Sequence, residues 1–223
     1  MVGGFGRAEV FSFHATKVLT TFEGGAILTE DSELAERLRL MRNFGFAGYD
    51  LVVSWGVNAK MNEISAAMGI CGLDCLDRFI SANRRNYALY RERLSGIPGV
   101  RFYLHSESEP RNFHYVVLEI DEEKTGLSRD LLMKALHKEN VLARRYFYPG
   151  CHRMEPYRSL YPGTSEGLKV TERLCEQVLV LPSGTAMEAS DVSDVSGIIE
   201  LCIANSMEIS ELVLRGSAGV SAV

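Results

Sequence analysis

Apolar residues recur with two different periods along this chain, and the switches between them mark its elements. Val10, Phe11 and Phe13 in residues 8–13, and Ala26 and Ile27 in residues 25–29, read as two short strands joined by a polar connection. Asp31 and Ser32 then announce a helix whose Leu34, Leu38 and Met41 follow helical spacing. A glycine-rich loop covers residues 43–58. Met61, Ile64, Met68, Cys71 and Cys75 next share one helical face, and Phe79, Tyr87, Tyr90 and Leu94 prolong the pattern, so a long helical region is predicted up to residue 94. Gly69 and Gly72 inside it each cost about 1 kcal/mol relative to alanine. Such glycines predict close approach of another backbone, a partner subunit's being one candidate.

Ser95, Gly96, Ile97, Pro98 and Gly99 stop the helix and mark a domain boundary. Beyond it the pattern predicts strands at 100–105 and 113–121, a capped amphipathic helix at 128–139, a strand at 141–147, and helices at 169–178 and 191–204. That alternation fits a small α/β domain with helices on one face of a sheet. The expected organisation is therefore a first segment at 1–97, an α/β domain at 98–215 and a frayed tail at 216–223. The first segment is a poor domain by itself. Its two strands make at most a hairpin, which is marginal in water without further strands.

Composition changes this picture little. With 46% hydrophobic and 24% charged residues, the 223-residue chain has enough apolar content for a substantial core. A net charge of −5, with Arg84-Arg85 and Arg144-Arg145 as the densest basic spots, argues against a nucleic-acid partner. No run approaches the length of a membrane span, and Val2-Gly3-Gly4 opens no signal-peptide pattern. The five scattered cysteines (71, 75, 151, 175 and 202) read as buried thiols of a reducing compartment rather than as metal ligands, Cys71 and Cys75 sharing a packed face. A cytosolic protein is expected.

The candidate chemistry lies in Ser12-Phe13-His14-Ala15-Thr16-Lys17, ahead of Glu23-Gly24-Gly25. An amine at the end of a strand can hold a carbonyl compound as a Schiff base if it is deprotonated at the moment of attack. Ser12 offers a hydroxyl to a phosphate beside it, and a hydroxyl, a lysine and a glycine pair together suit a phosphorylated aldehyde cofactor such as pyridoxal phosphate. By spacing alone, a lone lysine after a strand is more often a solvated loop residue.

Three motifs in register carry more weight. Residues 12–19 with Glu23-Gly24-Gly25-Ala26, then residues 56–67 (Gly56-Val57-Asn58-Ala59-Lys60-Met61-Asn62-Glu63 and onward), then residues 143–149 with His152-Arg153-Met154-Glu155-Pro156-Tyr157, resemble the DegT/DnrJ/EryC1/StrS sugar aminotransferases in their order along the chain. The resemblance implies the C-terminal portion of a pyridoxal-phosphate-dependent transferase of the aspartate aminotransferase type, fold type I, with an incomplete large domain and a small α/β domain. Lys17 would hold the cofactor as an aldimine and then move the 1,3-proton, and Ser12 would bind its phosphate. Asn58 would reach the phosphate of a neighbouring subunit's cofactor, or cap the following helix, or both. Arg145, Tyr146, Tyr148 and His152 would lie near the sugar-nucleotide entrance; the plainer account of that segment is an aromatic strand end packing on the large domain. His14, at a position that varies among relatives, is more often a packed than a catalytic residue. The Glu23-Gly24-Gly25 turn is expected to serve backbone geometry.

The form of the motifs is most similar to enzymes that aminate C4 of a nucleotide-linked 4-keto-6-deoxyhexose, such as dTDP-4-keto-6-deoxyglucose, with glutamate as donor and a dimer as the assembly. C3 amination is the nearest alternative, and lysine at position 17 argues against the dehydratase branch that carries histidine there. Full-length relatives also have a long N-terminal portion before the lysine's strand. It supplies most of the parallel sheet, a ring stacked on the cofactor, a phosphate-binding loop and an Asp for the pyridine nitrogen. None of these precedes Gly3, so the chain alone is expected to bind pyridoxal phosphate poorly. On that expectation a partner supplies the missing half, or the start is misassigned, or the chain is an inactive remnant or interaction subunit that pairs with a complete aminotransferase.

Overall fold

The fold is that of a computed structural model in which residues 4–103 and 110–211 are described. The chain forms two compact units, Met1–Arg78 and Phe79–Val223. The first opens with β1 (Glu9–Ser12) and β2 (Gly25–Leu28), an antiparallel pair in which Glu9 faces Leu28 and Ser12 faces Gly25. Helix α1 (Ser32–Arg42) follows, because Asp31 Oδ1 accepts from the Leu34 amide at 2.8 Å while Arg7 Nε donates to Asp31 Oδ2 at 2.7 Å. That amide, and then Arg7, hold the Asp31 carboxyl below its usual range. The loop expected at 43–58 contains a small hairpin, β3 (Phe46–Gly48) and β4 (Leu51–Val52). Its ends are tied by a bridge between Asn43 and Asn58.

The predicted long helix is two helices, α2 (Glu63–Asp74) and α3 (Leu76–Leu94), separated at Cys75. The face expected to pack on α2 is not buried: Cys71 is exposed, as are Ile64, Met68, Ile70 and Leu73, and Cys151 is an exposed thiol too. Gly69 and Gly72 do mark close approach, but of side chains rather than of another backbone. A Cβ at Gly69 would lie 2.9 Å from Thr21 Cγ2, and one at Gly72 2.9 Å from Leu19 Cδ1.

In the second unit β5 (Val100–Phe102), β6 (Val116–Ile120) and β7 (Val178–Leu181) form an antiparallel sheet in the order β5-β6-β7. Helices α4 (Glu122–Thr125), α5 (Arg129–Lys138), α6 (Tyr157–Leu160), α7 (Lys169–Gln177) and α8 (Ala189–Ala204) complete it. Period-2 burial along β6 sends Val116, Leu118 and Ile120 into a core shared with Tyr90 and Leu94 of α3, Leu132 and Leu136 of α5, and Val192, Val195 and Ile199 of α8. Not every helix takes that face. Glu119 alternates away from the core and is paired by Arg173, so α7 departs from the one-sided layering the sequence suggests.

The third strand is also not where periodicity puts it. Residues 141–147 make only the Arg144–Val180 bridge and then turn, with the Tyr148 amide donating to Arg145 O at 2.8 Å. Strand β7 takes the place in the ladder, following α7 without a loop. The two compact units divide at Arg78/Phe79, and the later turns of α3 contribute Tyr90 and Leu94 to the second unit's core. The expected tail at 216–223, and residues 104–105 of the expected strand 100–105, lie outside the described residues.

Candidate functional site

Lys17 sits on a loop whose two ends are fastened to one carbonyl. Phe13, following β1, accepts at its oxygen from the Thr21 amide (2.9 Å) and from Thr20 Oγ1 (3.2 Å), while its own amide donates to Gly24 O at 2.8 Å. Thr21 is buried and its hydroxyl donates to Glu23 O at 2.7 Å. Gly24 has φ +145°, and a Cβ there would come within 2.7 Å of Met61 Cε and Thr21 Oγ1; at Gly25 a Cβ would lie 2.6 Å from Phe11 O. The Glu23-Gly24-Gly25 turn therefore does the backbone work expected of it. Inside the loop the Lys17 amide donates to His14 O at 2.9 Å. The Lys17 side chain is exposed, with no partner among the described residues.

Ser12 closes β1 on the same frame, exposed, its hydroxyl accepting a long contact (3.4 Å) from the His14 amide. Asn58 belongs to the same unit and is exposed. It is not the cap of the following helix. Asn62 is, with its Oδ1 accepting from the Ser65 amide at 2.8 Å, so the Asn58 carboxamide is not used for that purpose. The donor set in this unit consists of an unpaired amine, a hydroxyl and a carboxamide, which fits a phosphorylated aldehyde.

The second unit holds the other four candidates, and each has a local partner. Arg145 Nη1 lies 3.2 Å from both Asp130 oxygens and its guanidinium stands 4.1 Å from the Tyr148 ring centroid. Arg129, almost wholly buried, shares Asp130 through Nε at 2.7 Å and donates from Nη1 to Val178 O at 2.6 Å. Burial works to raise the Asp130 carboxyl, but Arg129 and then Arg145 outweigh it and hold the group below its usual range. Tyr146 accepts from Arg144 Nη1 at 2.7 Å and meets Tyr115 edge-on. The His152 ring is nearly buried and donates from Nε2 to Glu172 Oε1 at 2.6 Å; that bond, then Ser165 and then Arg153, lower the Glu172 carboxyl against the opposing effect of burial.

Sequence reasoning missed the supports: Thr20 and Thr21 behind the lysine loop, Asp130 behind Arg145, and Glu172 behind His152. The threonine pair beside the lysine motif was the visible signal for the first. The other two partners stand 15 and 20 residues away from the groups they hold.

With this geometry in view, the likeness to known proteins is specific. The model of the DegT/DnrJ/EryC1/StrS aminotransferase family matches residues 1–200. A dTDP-4-amino-4,6-dideoxy-D-glucose transaminase of Shigella dysenteriae is 35% identical over 190 residues, 85% of this chain and 50% of that protein. Its namesake from Escherichia coli is 33% identical over 178 residues, 80% of this chain and 48% of the relative. Among solved structures, DesI in the presence of its TDP-sugar product superposes with a TM-score of 0.85 at 46% identity, covering 94% of this chain and 53% of DesI. Helicobacter pylori PseC, an aminotransferase involved in the biosynthesis of pseudoaminic acid, gives 0.83 at 27% identity, covering 92% of this chain and 55% of PseC. The chain spans about half the length of these relatives, and its mixed α/β architecture is that of part of a fold-type-I, pyridoxal-phosphate-dependent transferase. On the family match and these likenesses together, the chain belongs to the DegT/DnrJ/EryC1/StrS aminotransferase family.

Proposed function

We propose that this chain carries the lysine-bearing part of a nucleotide-sugar aminotransferase acting at C4 of a dTDP-linked 4-keto-6-deoxyhexose, with glutamate as amino donor. One observation carries the proposal: the amine of Lys17, exposed and with no partner among the described residues, on a loop locked at both ends, with the Ser12 hydroxyl exposed at the end of the strand that leads into that loop. Two relatives named for a dTDP-4-amino-4,6-dideoxyglucose support the choice of sugar and carbon.

Pyridoxal phosphate, when bound, supplies an aldehyde for covalent attachment and a ring that draws electrons from the reacting carbon. Lys17 Nζ would be the attachment point, and its free amine would carry the 1,3-proton to the sugar carbon that gains nitrogen. Ser12 Oγ would donate to the cofactor's phosphate, and the Asn58 carboxamide would donate to the phosphate of a neighbouring subunit's cofactor. Arg145, already oriented by Asp130 and Tyr148, offers a cation to an anionic substrate, with Tyr146 and Tyr148 as aromatic walls and His152 holding its segment through Glu172. Absorption spectra of the purified protein titrated with pyridoxal phosphate test this reading. With pyridoxal phosphate in large excess, to offset the weak binding expected of the chain alone, a band above roughly 400 nm, that of a protonated imine, should form and vanish in Lys17→Ala; an identical band in Lys17→Ala would sink the proposal.

A second reading has an observation of its own. Ile64, Ile70 and Leu73 of α2, with Trp55 and Tyr49 before it, are exposed in this chain, which suits a subunit that pairs with a complete aminotransferase. Mixing with such an enzyme and weighing the product by light scattering decides: a mixed oligomer, with no turnover by this chain alone, favours that role.

A further inference from the structure

We propose that His14 is a positioning residue for Lys17, acting through the unprotonated Nδ1 of its ring; the role assigned to Lys17 rests on the reading above. The Thr16 amide donates to His14 Nδ1 at 3.2 Å, and Thr16 Oγ1 lies 3.0 Å from the same nitrogen. A nitrogen that accepts an amide proton carries none, so in the neutral ring the proton sits on Nε2. That edge faces Glu23 Oε1, 3.5 Å away, on the glycine turn that leads into β2. The main chain of the same residue holds the lysine directly, since His14 O accepts from the Lys17 amide at 2.9 Å. His14 thus grips the loop at two consecutive amides, Thr16 by its ring and Lys17 by its carbonyl, while Ser12 Oγ steadies the His14 amide at 3.4 Å.

The energetics favour a local role. His14 and Lys17 are both exposed, so His14 fills no core and its removal leaves no cavity. What its ring contributes is direction. Without the Nδ1 acceptor, the hydrogen bond left to the segment from Ala15 to Val18 among the described residues is the backbone one from Lys17 to His14 O, and the amine samples a wider range.

Two substitutions separate an acceptor from mere bulk. Asparagine places Oδ1 at the same bond count from the backbone as Nδ1, so His14→Asn keeps the acceptor, and His14→Leu keeps the size without it. Amide hydrogen exchange resolved by NMR reads the loop directly. In His14→Leu the Thr16 amide should exchange roughly fivefold faster, the loss expected for one net hydrogen bond, and His14→Asn should restore the parent rate. Far-UV circular dichroism should be unchanged in both. As a second readout, incubation with pyridoxal phosphate followed by borohydride reduction, with peptide mass mapping, should leave less pyridoxyl label on Lys17 in His14→Leu than in the parent or His14→Asn. Parent-like Thr16 exchange in His14→Leu, or exchange in His14→Asn as fast as in His14→Leu, overturns the proposal. If the parent itself takes no label at Lys17, the cofactor reading fails while the exchange comparison still decides the role of His14.

Discussion

The two units of this chain are held together in different ways. Every hydrophobic side chain buried in the described residues lies at Tyr90 or later, in the second unit; from residue 4 to 78 none is buried. The first unit nevertheless contains the lysine loop, framed by capped helices, a short ladder and the threonine contacts of residues 20 and 21. Apolar content alone therefore did not locate the core. Helix α2 is as apolar as any helix among the described residues, yet it gives Ile64, Ile70 and Leu73 to solvent. The lysine loop is shaped instead by directional bonds, which fix geometry without needing a large buried volume.

The sharpest test of this contrast is a pair of truncations. Leu136→Ala, at a fully buried position of α5, should destabilise the chain by about 2–5 kcal/mol, read from the urea midpoint by far-UV circular dichroism. Leu73→Ala, on the exposed face of α2, should stay within about 0.5 kcal/mol. Equal costs would erase the distinction.

Smaller, and confined to the first unit, is Thr21→Val. It removes the hydroxyl donor to Glu23 O and should cost about 1 kcal/mol, visible as faster exchange at the amides of Phe13, which donates to Gly24 O, and of residue 21, which donates to Phe13 O, with the β6 amides unmoved. Spread of the effect into β6 would show that the two units share stability.

The least effect concerns acid. Asp130 is held below its ordinary value of 3.8 despite the opposing pull of burial, because Arg129 and Arg145 bond its charged form. A carboxyl lowered in this way contributes stability that is complete above the unfolded value and is lost as pH falls through the folded one. The parent should thus lose stability more steeply than Asp130→Asn as pH falls below about 4, with the extra slope gone once Asp130 is protonated in both the folded and the unfolded state. Equal acid slopes would remove Asp130 from the account of the second unit.

What could be read from the sequence follows from the range of each interaction. β1, β2, α1 and α5 were legible because their signals are local: alternation, and caps such as Asp31 and Ser128. Val178–Leu181 was not, since four consecutive apolar residues show no period and α7 runs into them without a turn signal. Residues 141–147 carried the composition of a strand, but Leu142 is exposed and only Arg144 reaches the ladder. At the site, Ser12, Lys17 and the glycine turn share one short segment and could be recognised together. The contacts of Gly69 with Thr21 and of Gly72 with Leu19 join positions about fifty residues apart, and no window along the sequence contains both.

The double anchorage on Phe13 O has a consequence for how such a chain changes over generations. Its frame consists of Phe13, Thr20, Thr21 and the Gly24-Gly25 turn, and the residues between His14 and Val18 contribute no buried hydrophobic side chain. Substitutions in that interval should therefore leave the supporting ladder in register, so that the side chains it presents can change without first rebuilding the fold that presents them.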